Sequence, residues 1–321
     1  MSASKAAFAL AAALFAAGAW AQAYPSRPAR VIVPFPPGGY TDVTARVIAQ
    51  ALSERLGQPF VVENRPGAGT AIGAEAVAKA PADGYTILYT GASTFTVNPV
   101  LLKNLPYDPV KSFAPIGIAT RTPMVLLVHP SVPARNVKEL VALVSANPAK
   151  FPYGSFGAGT ISHFAGEVFN AAAGLKMLHV PYKGSTPLMN DLVGGQVPVS
   201  FDTLVVSAPQ MRSGKARGLA MMTRERTPLF PDVPTVAESG YPSVDVGTWV
   251  AFAAPAGTPD AVTRRLRDEI AAIVARKDVV ERFGALGVES VERSPEHFLA
   301  TVRAEQQRNA KIAKDADIRG E

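Results

Sequence analysis

The 321-residue sequence carries 32 lysines and arginines against 26 acidic residues, a net charge of +6, and contains no cysteine. The missing thiols exclude cysteine catalysis, disulfides, Cys-type zinc sites and a lipid-modified cysteine anchor. Basic residues alternate with acids, as in Arg264, Arg265, Arg267, Asp268 and Glu269, so no basic block with interleaved aromatics points to nucleic acid.

In chain order, Lys5, the apolar run 6–17 and the small-x-small sequence Ala21-Gln22-Ala23 read as a secretory signal peptide, cleaved after Ala23. The apolar run falls short of the ~20 residues that span a bilayer, and charges and prolines interrupt every later one. The chain from Tyr24 onward is therefore expected to be exported and soluble, with a charge of about +5 once Lys5 is removed. Roughly 300 residues without disulfides suggest two domains stabilised by their cores.

Val31-Ile32-Val33 reads as a buried strand. A helix capped by Thr41 or Asp42 follows, with Val43, Val47, Ile48, Ala51, Leu52 and Leu56 at helical spacing and Gly57 ending it. Strands over 60–62 and 85–89 flank a helix over 72–80. This βαβ alternation predicts an α/β fold with a mainly parallel sheet and helices on both faces. A strand over 124–128 comes next, then a helix through Ala146 with Asn136 and Glu139 as its capping box. A short strand ends at Tyr153. Helices over 160–173 and from Ser185 or Thr186 to Val193 are closed by Gly174 and Gly194. Strands over 197–201 and 218–222 follow, and Thr235 with Glu238 forms a second capping box inside residues 227–243, which read as proline-rich and irregular. A strand over 249–253, a helix from Thr258-Pro259 and a last amphipathic helix from Ser294-Pro295 complete the chain. No glycine-serine linker separates independent units, which favours lobes joined by chain crossings.

Two loops carry candidate chemistry. Pro34-Phe35-Pro36-Pro37-Gly38-Gly39-Tyr40-Thr41-Asp42 and Tyr153-Gly154-Ser155-Phe156-Gly157-Ala158-Gly159-Thr160 each join a strand to a helix N-terminus. Exposed backbone N–H groups and the helix dipole suit an anion there, while an ordinary βα turn would use the same residue types. Neither loop fits a dinucleotide or Walker fingerprint. Residues 91–98 with Ser93, the segment Pro181-Tyr182-Lys183-Gly184, and Asp202 could also line a cleft, or simply turn and cap. Ser155, His163 and Asp202 are the residue types of a hydrolytic triad, but no Gly-x-Ser-x-Gly elbow surrounds Ser155. His163 reads better as a packing or capping residue. The four histidines, at 129, 163, 179 and 297, form no metal-ligand pattern.

At this point the chain resembles the Bug-type solute-binding proteins of tripartite tricarboxylate transporters. The resemblance runs through Tyr24-Pro25, Val33-Pro34-Phe35, Pro37-Gly38-Gly39 with Thr41-Asp42, and Val62-Glu63-Asn64-Arg65-Pro66-Gly67-Ala68-Gly69. It continues through Asp83-Gly84-Tyr85-Thr86, Leu105-Pro106-Tyr107-Asp108-Pro109, Tyr153-Gly154-Ser155 and His179-Val180-Pro181-Tyr182-Lys183-Gly184. Asp232-Val233-Pro234-Thr235-Val236-Ala237-Glu238 and Ala254-Pro255-Ala256-Gly257-Thr258-Pro259 complete it. It implies a two-lobed periplasmic binding protein of type II, each lobe a mainly parallel sheet flanked by helices. Residues 24–124 and 249–321 would form the first lobe and 125–248 the second. It further implies a periplasmic, non-enzymatic monomer that binds a small carboxylate, without metal or cofactor, and serves the membrane subunits of such a transporter. A ligand-sensing adaptor for a membrane signalling partner and, more remotely, a secreted serine-type hydrolase are the alternatives. The candidate ligand-binding residues are Phe35, Gly38, Gly39, Asp42, Ser93, Ser155, Gly157, Gly159, Thr160, His163, Tyr182 and Asp202. One departure stands out: the family's common Gly-Ala-Gly-Gly run reads Gly67-Ala68-Gly69-Thr70 here.

Overall fold

The structure, a computed structural model, describes residues 24–316 and 318; the expected signal peptide, residues 1–23, lies outside the described residues. Strand β1 (Ala29–Val33) runs parallel to β2 (Phe60–Asn64) on one side and β3 (Thr86–Gly91) on the other. Successive side chains of a strand face opposite ways. Val31 and Val33 accordingly share a core with Ile48 and Leu52 of α1 (Tyr40–Leu56). Ile32 joins Ala74 and Val77 of α2 (Ala71–Ala78) in a second core. Such two-sided burial explains why residues 31–33 read as an unbroken apolar run. Gly57 ends α1 in the left-handed conformation at φ 68°, where glycine carries no Cβ penalty.

After β3 the chain makes a π-helical turn (Ser93–Val97) and the short helix α3 (Asn98–Leu101). It then enters β4 (Phe113–Val128), a strand of 16 residues. The sequence predicts only the last five. Pro115, Gly117 and Pro123 hide the rest, and the register slips around Pro115/Gly117 and Ile118/Thr120 as bulges allow. At Gly117 (φ 154°) a Cβ would lie 2.5 Å from the Arg293 carbonyl oxygen, so the neighbouring strand approaches only because glycine is there.

The chain continues through α4 (Val137–Ala146), β5 (Tyr153–Ser155), α5 (Ile161–Ala173), β6 (His179–Pro181) and α6 (Ser185–Val193). Next come β7 (Val199–Thr203), α7 (Leu204–Arg212), β8 (Arg217–Met221) and β9 (Gly247–Pro255). It closes with α8 (Asp260–Val274), α9 (Lys277–Ala285), β10 (Glu289–Arg293) and α10 (Pro295–Asp315). Strand β4 serves two sheets. Its first part pairs antiparallel with β9, from Phe113 opposite Pro255 to Pro123 opposite Gly247. Residues 124–128 pair instead with β7 and β8. The parallel alternation expected from the sequence is found in β1, β2 and β3 and again in β5, β6 and β7. The strands that join the lobes add antiparallel pairs, so each sheet is mixed.

The cap signals behave unequally. Asn136 Oδ1 accepts from Glu139 N–H at 2.9 Å and opens α4, and Ser294 caps α10. Thr235 and Glu238 make both reciprocal capping-box bonds, at 3.0 and 2.7 Å, yet only turns follow. Four residues later Ser239-Gly240-Tyr241-Pro242 stops any helix before it can propagate. Among the described residues, no helix is long and apolar enough to cross a membrane.

Candidate ligand-binding cleft

The two lobes meet across a narrow cleft of about 30 Å³, lined from the first lobe by Phe35, Pro36, Gly39, Tyr40, Thr41, Gly91, Ala92, Ser93, Trp249 and Val250, with Thr248 on the crossing strand β9. Phe156, Ile161, Gly184, Ser185 and Thr203 line it from the second. The lobes are closed on each other. Ser93 Oγ accepts the Ile161 N–H at 3.0 Å in a buried bond across the cleft. Thr186 Oγ1 donates to the Pro37 carbonyl at 3.3 Å. Phe35 and Phe156 meet edge to face, 6.0 Å between ring centres.

Four helices begin at this cleft. Gly39, Thr160, Gly184 and Thr203 are the N-cap residues of α1, α5, α6 and α7, and none supplies a side-chain cap bond. Each helix start presents N–H groups without intrahelical partners and the positive end of a dipole. Among the described residues lining the cleft there is no lysine or arginine. Its positive potential comes from backbone alone, which is the chemistry of an anion site.

Of the residues expected to bind ligand, Phe35, Gly39 and Ser93 line the cleft. Gly38 and Asp42 lie just behind. The expectation that Thr41 or Asp42 caps α1 is corrected: Gly39 is the N-cap residue, and Asp42 lies in the first turn. Its carboxylate accepts the Gly38 N–H at 3.0 Å, the Arg46 guanidinium at 2.9 Å and the Asn64 amide at 2.9 Å. Burial pushes its pKa up, but these three donors more than offset that and leave it below the ordinary carboxylate value. Asp42 therefore pins the first loop. Asn64 also donates to the Phe35 carbonyl, tying the same loop to β2.

In the second loop, Ser155 is fully buried and does not line the cleft. Its Oγ lies 2.6 Å from His179 Nε2 and accepts the Gly157 N–H at 3.2 Å. His163 is buried, accepts the Gly159 N–H at Nδ1 and stacks on His179 with ring centres 4.1 Å apart. Gly157 (φ 144°) and Gly159 (φ 72°) need glycine for their backbone alone. Thr160 Oγ1 donates to the Gly157 carbonyl at 2.6 Å, shaping the loop without entering the cleft. Tyr182 Oη donates to Asp191 at 2.9 Å. Burial and that carboxylate push the phenol up to about 12.

Asp202, also absent from the lining, is fully buried behind it. Oδ1 accepts from Ser185 Oγ at 2.9 Å and Thr203 N–H at 2.7 Å, both cleft residues. Oδ2 has no hydrogen-bond partner. Burial pushes the carboxyl up to about 7 despite the bonds from Thr203 and Ser185. Ser155, His163 and Asp202 are thus not assembled as a triad: the Ser155 hydroxyl pairs with His179, and Asp202 is engaged by Ser185 and Thr203. Among the described residues no group of three His, Cys, Asp or Glu could hold a metal ion.

Tyr40, Ile161, Ser185, Thr203 and Trp249 were missed as cleft residues. The first four share one signal: each stands at the N-cap or first turn of a helix that follows a strand, where open α/β sheets place their ligands. Trp249 carries no such signal. It is placed by Glu305 of α10, which accepts its indole N–H at 3.0 Å.

An α/β chain folded into two lobes joined by antiparallel crossings, with a cleft walled by helix N-termini, is a periplasmic-binding-protein fold. The chain belongs to the tripartite tricarboxylate transporter receptor family, whose pattern it matches over residues 44–318. It is similar to periplasmic binding protein BugD, at 39% identity and a TM-score of 0.89, covering 93% of this chain and 100% of that one. It is also similar to the Rhodopseudomonas palustris protein Rpa4515, solved with adipate: 36% identity, TM-score 0.89, 92% and 98% of the two chains. MatC from the same organism, solved with malate, is 32% identical with a TM-score of 0.87, over 90% and 99%.

Proposed function

We propose that this protein captures a small carboxylate between its lobes outside the cytoplasm and delivers it to the membrane subunits of a tripartite tricarboxylate-type transporter. The observation that carries this reading is the convergence of four helix N-termini, whose N-cap residues make no side-chain cap bond, on one cleft whose lining contains no lysine or arginine. The adipate and malate bound to the two similar R. palustris proteins are small dicarboxylates and support the same ligand class. On this reading residues 24–124 and 249–321 form the first lobe and 125–248 the second, with β4 and β9 at the crossings. Phe35, Gly39 and Ser93 act with Ser185 and Thr203 at the ligand, while Gly38, Asp42, Ser155, Gly157, Gly159, Thr160, His163 and Tyr182 shape the loops. Asp202 lies behind Ser185 and Thr203 and reads a donor or a proton at that end of the ligand. The protein works as a monomer in the periplasm, after cleavage at Ala23, and turns nothing over.

A thermal-shift screen followed by calorimetric titration tests this. A ligand at about 100 times its dissociation constant stabilises the native state by ~2.7 kcal/mol, a shift of several degrees for a chain of this size. Saturable binding of one di- or tricarboxylate per chain, unconsumed after incubation, is the expected result. No response to di- and tricarboxylates, aromatic acids or amino acids would refute it.

A further inference from the structure

Residues 67–70 lie outside the cleft and have no part in the capture role so far. All four have positive φ: Gly67 134°, Ala68 45°, Gly69 60° and Thr70 96°. For alanine, and above all for a β-branched threonine, that is rare backbone. Strain of this kind persists only where surrounding contacts hold it, and it concentrates at functional places. The contacts here are specific. Asn98 Nδ2 donates to the Gly69 carbonyl at 3.0 Å and lies 2.9 Å from Thr70 Oγ1. Thr94 Oγ1 donates to Thr70 Oγ1 at 2.8 Å. Thr70, Thr94 and Asn98 are all buried.

What the turn faces is the other lobe. A Cβ built on Gly69 would lie 2.8 Å from the Ala158 carbonyl oxygen and 3.4 Å from the Gly159 carbonyl carbon. A Cβ built on Gly159 would lie 3.8 Å from Gly69 Cα. The two glycines thus meet backbone to backbone, and the segment met, 157–159, is the second candidate ligand loop. Asn98 Oδ1 stands at this seam, 3.4 Å and 3.6 Å from those two Cβ positions, buried and without a hydrogen-bond partner. Parting the lobes would let water reach that oxygen.

We propose that the turn 67–70 is the seat on which the loop 157–159 lands when the lobes close, and that glycine at position 69 sets how closely they approach. Asn98 is the positioning residue of this seat. The purpose of the seat rests on the capture role proposed above, but its geometry does not. A side chain at 69 meets a backbone oxygen of the opposite lobe, which cannot step aside as a flexible side chain can.

The test measures lobe separation without ligand, so its failure is distinct from failure of the capture role. The chain has no cysteine, so Lys79→Cys and Lys176→Cys supply one spin label on each lobe for pulsed dipolar spectroscopy. Gly69→Ala and Gly69→Asn are compared with Gly57→Ala. Gly57 is also left-handed, at φ 68°, but has nothing within 4 Å of its Cβ position, so it reproduces the backbone cost alone. Asparagine tolerates left-handed backbone yet carries the same Cβ. The expected result is a short-distance population that both Gly69 variants reduce about tenfold or more and Gly57→Ala leaves in place. Gly69 variants that superpose on the parent, Gly57→Ala with the same loss, or a parent lacking the short distance would each overturn the proposal.

Discussion

Asp202→Asn isolates the cost of a buried acid behind the cleft. In the fold, Oδ1 is engaged by Ser185 and Thr203 while Oδ2 is buried without a partner, and the carboxyl is pushed up to about 7 from its ordinary 3.8. Because the folded value is raised, the native state holds a proton between about pH 4 and 7 that the unfolded chain has released. Stability therefore falls as pH rises through this window and levels off above it. At 1.36 kcal/mol per pH unit, ionising Asp202 inside the fold costs on the order of 4 kcal/mol, an upper figure because proteins relax around buried charge. Asparagine keeps an Oδ1 acceptor and removes the charge. The assay is urea unfolding of both proteins from pH 4 to 8. Every other titrating group cancels in the difference, which should be smallest at pH 4 and grow in favour of Asp202→Asn up to pH 7. A difference independent of pH would refute the reasoning, because it would mean that Asp202 does not titrate in the fold.

The same carboxyl should couple to ligand. An anion in the cleft favours the protonated acid, so calorimetry of dicarboxylate binding in buffers of different ionisation enthalpy should show proton uptake near pH 7.5, abolished by Asp202→Asn. Ser93→Ala removes the acceptor of the Ile161 N–H across the cleft. It should weaken binding by roughly threefold to tenfold, read by titration, with little change in urea stability. Gly39 has an ordinary φ of −82°, and a Cβ there would sit 3.8 Å from Ser185 Oγ. Gly39→Ala should therefore bind nearly as the parent does, whereas Gly39→Leu should lose binding in the same titration. Asp42→Asn deprives Arg46 of its buried partner and loosens the loop at Gly38. It should cost about 1–3 kcal/mol in urea unfolding at pH 7. Asp42 is held below its ordinary pKa, so this difference should shrink as pH falls through the folded value.

Much of the fold is legible because the outer strands and their helices obey local rules. The apolar run 31–33, the helical spacing from Val43 to Leu56 and the closing glycines at 57 and 174 each have one physical reading. The crossing strand β4 is hidden because its bulges place Pro115, Gly117 and Pro123 where a regular strand would not. α9 and β10 are short, nine and five residues, and α7 carries Pro209 inside it. The Thr235/Glu238 box shows that a cap signal starts a helix only where the following residues can continue it. At the site, the glycine loops were visible as chemistry, but glycine alone does not say which of its neighbours faces the other lobe. Asp42 and Thr160 have the residue types of a ligand site and spend their polar atoms on neighbouring protein groups. Ser185 and Thr203 come together only in the fold, where Asp202 Oδ1 accepts from both.

A cleft whose positive potential comes from helix ends suits a receptor that must also let go. A lysine or arginine in so closed a space would have to be desolvated, and it would remain charged and close to the ligand after the lobes part. Helix N-termini carry roughly half a charge each, fixed by the fold and already pointed at the site. Their contributions also come from both sides: α1 follows β1 of one sheet, while α5, α6 and α7 follow β5, β6 and β7 of the other. Separation of the lobes withdraws one part of the field from the other and breaks the Ser93–Ile161 bond at the same time. Grip and release are then one motion, controlled by how closely two glycine-bearing turns can meet.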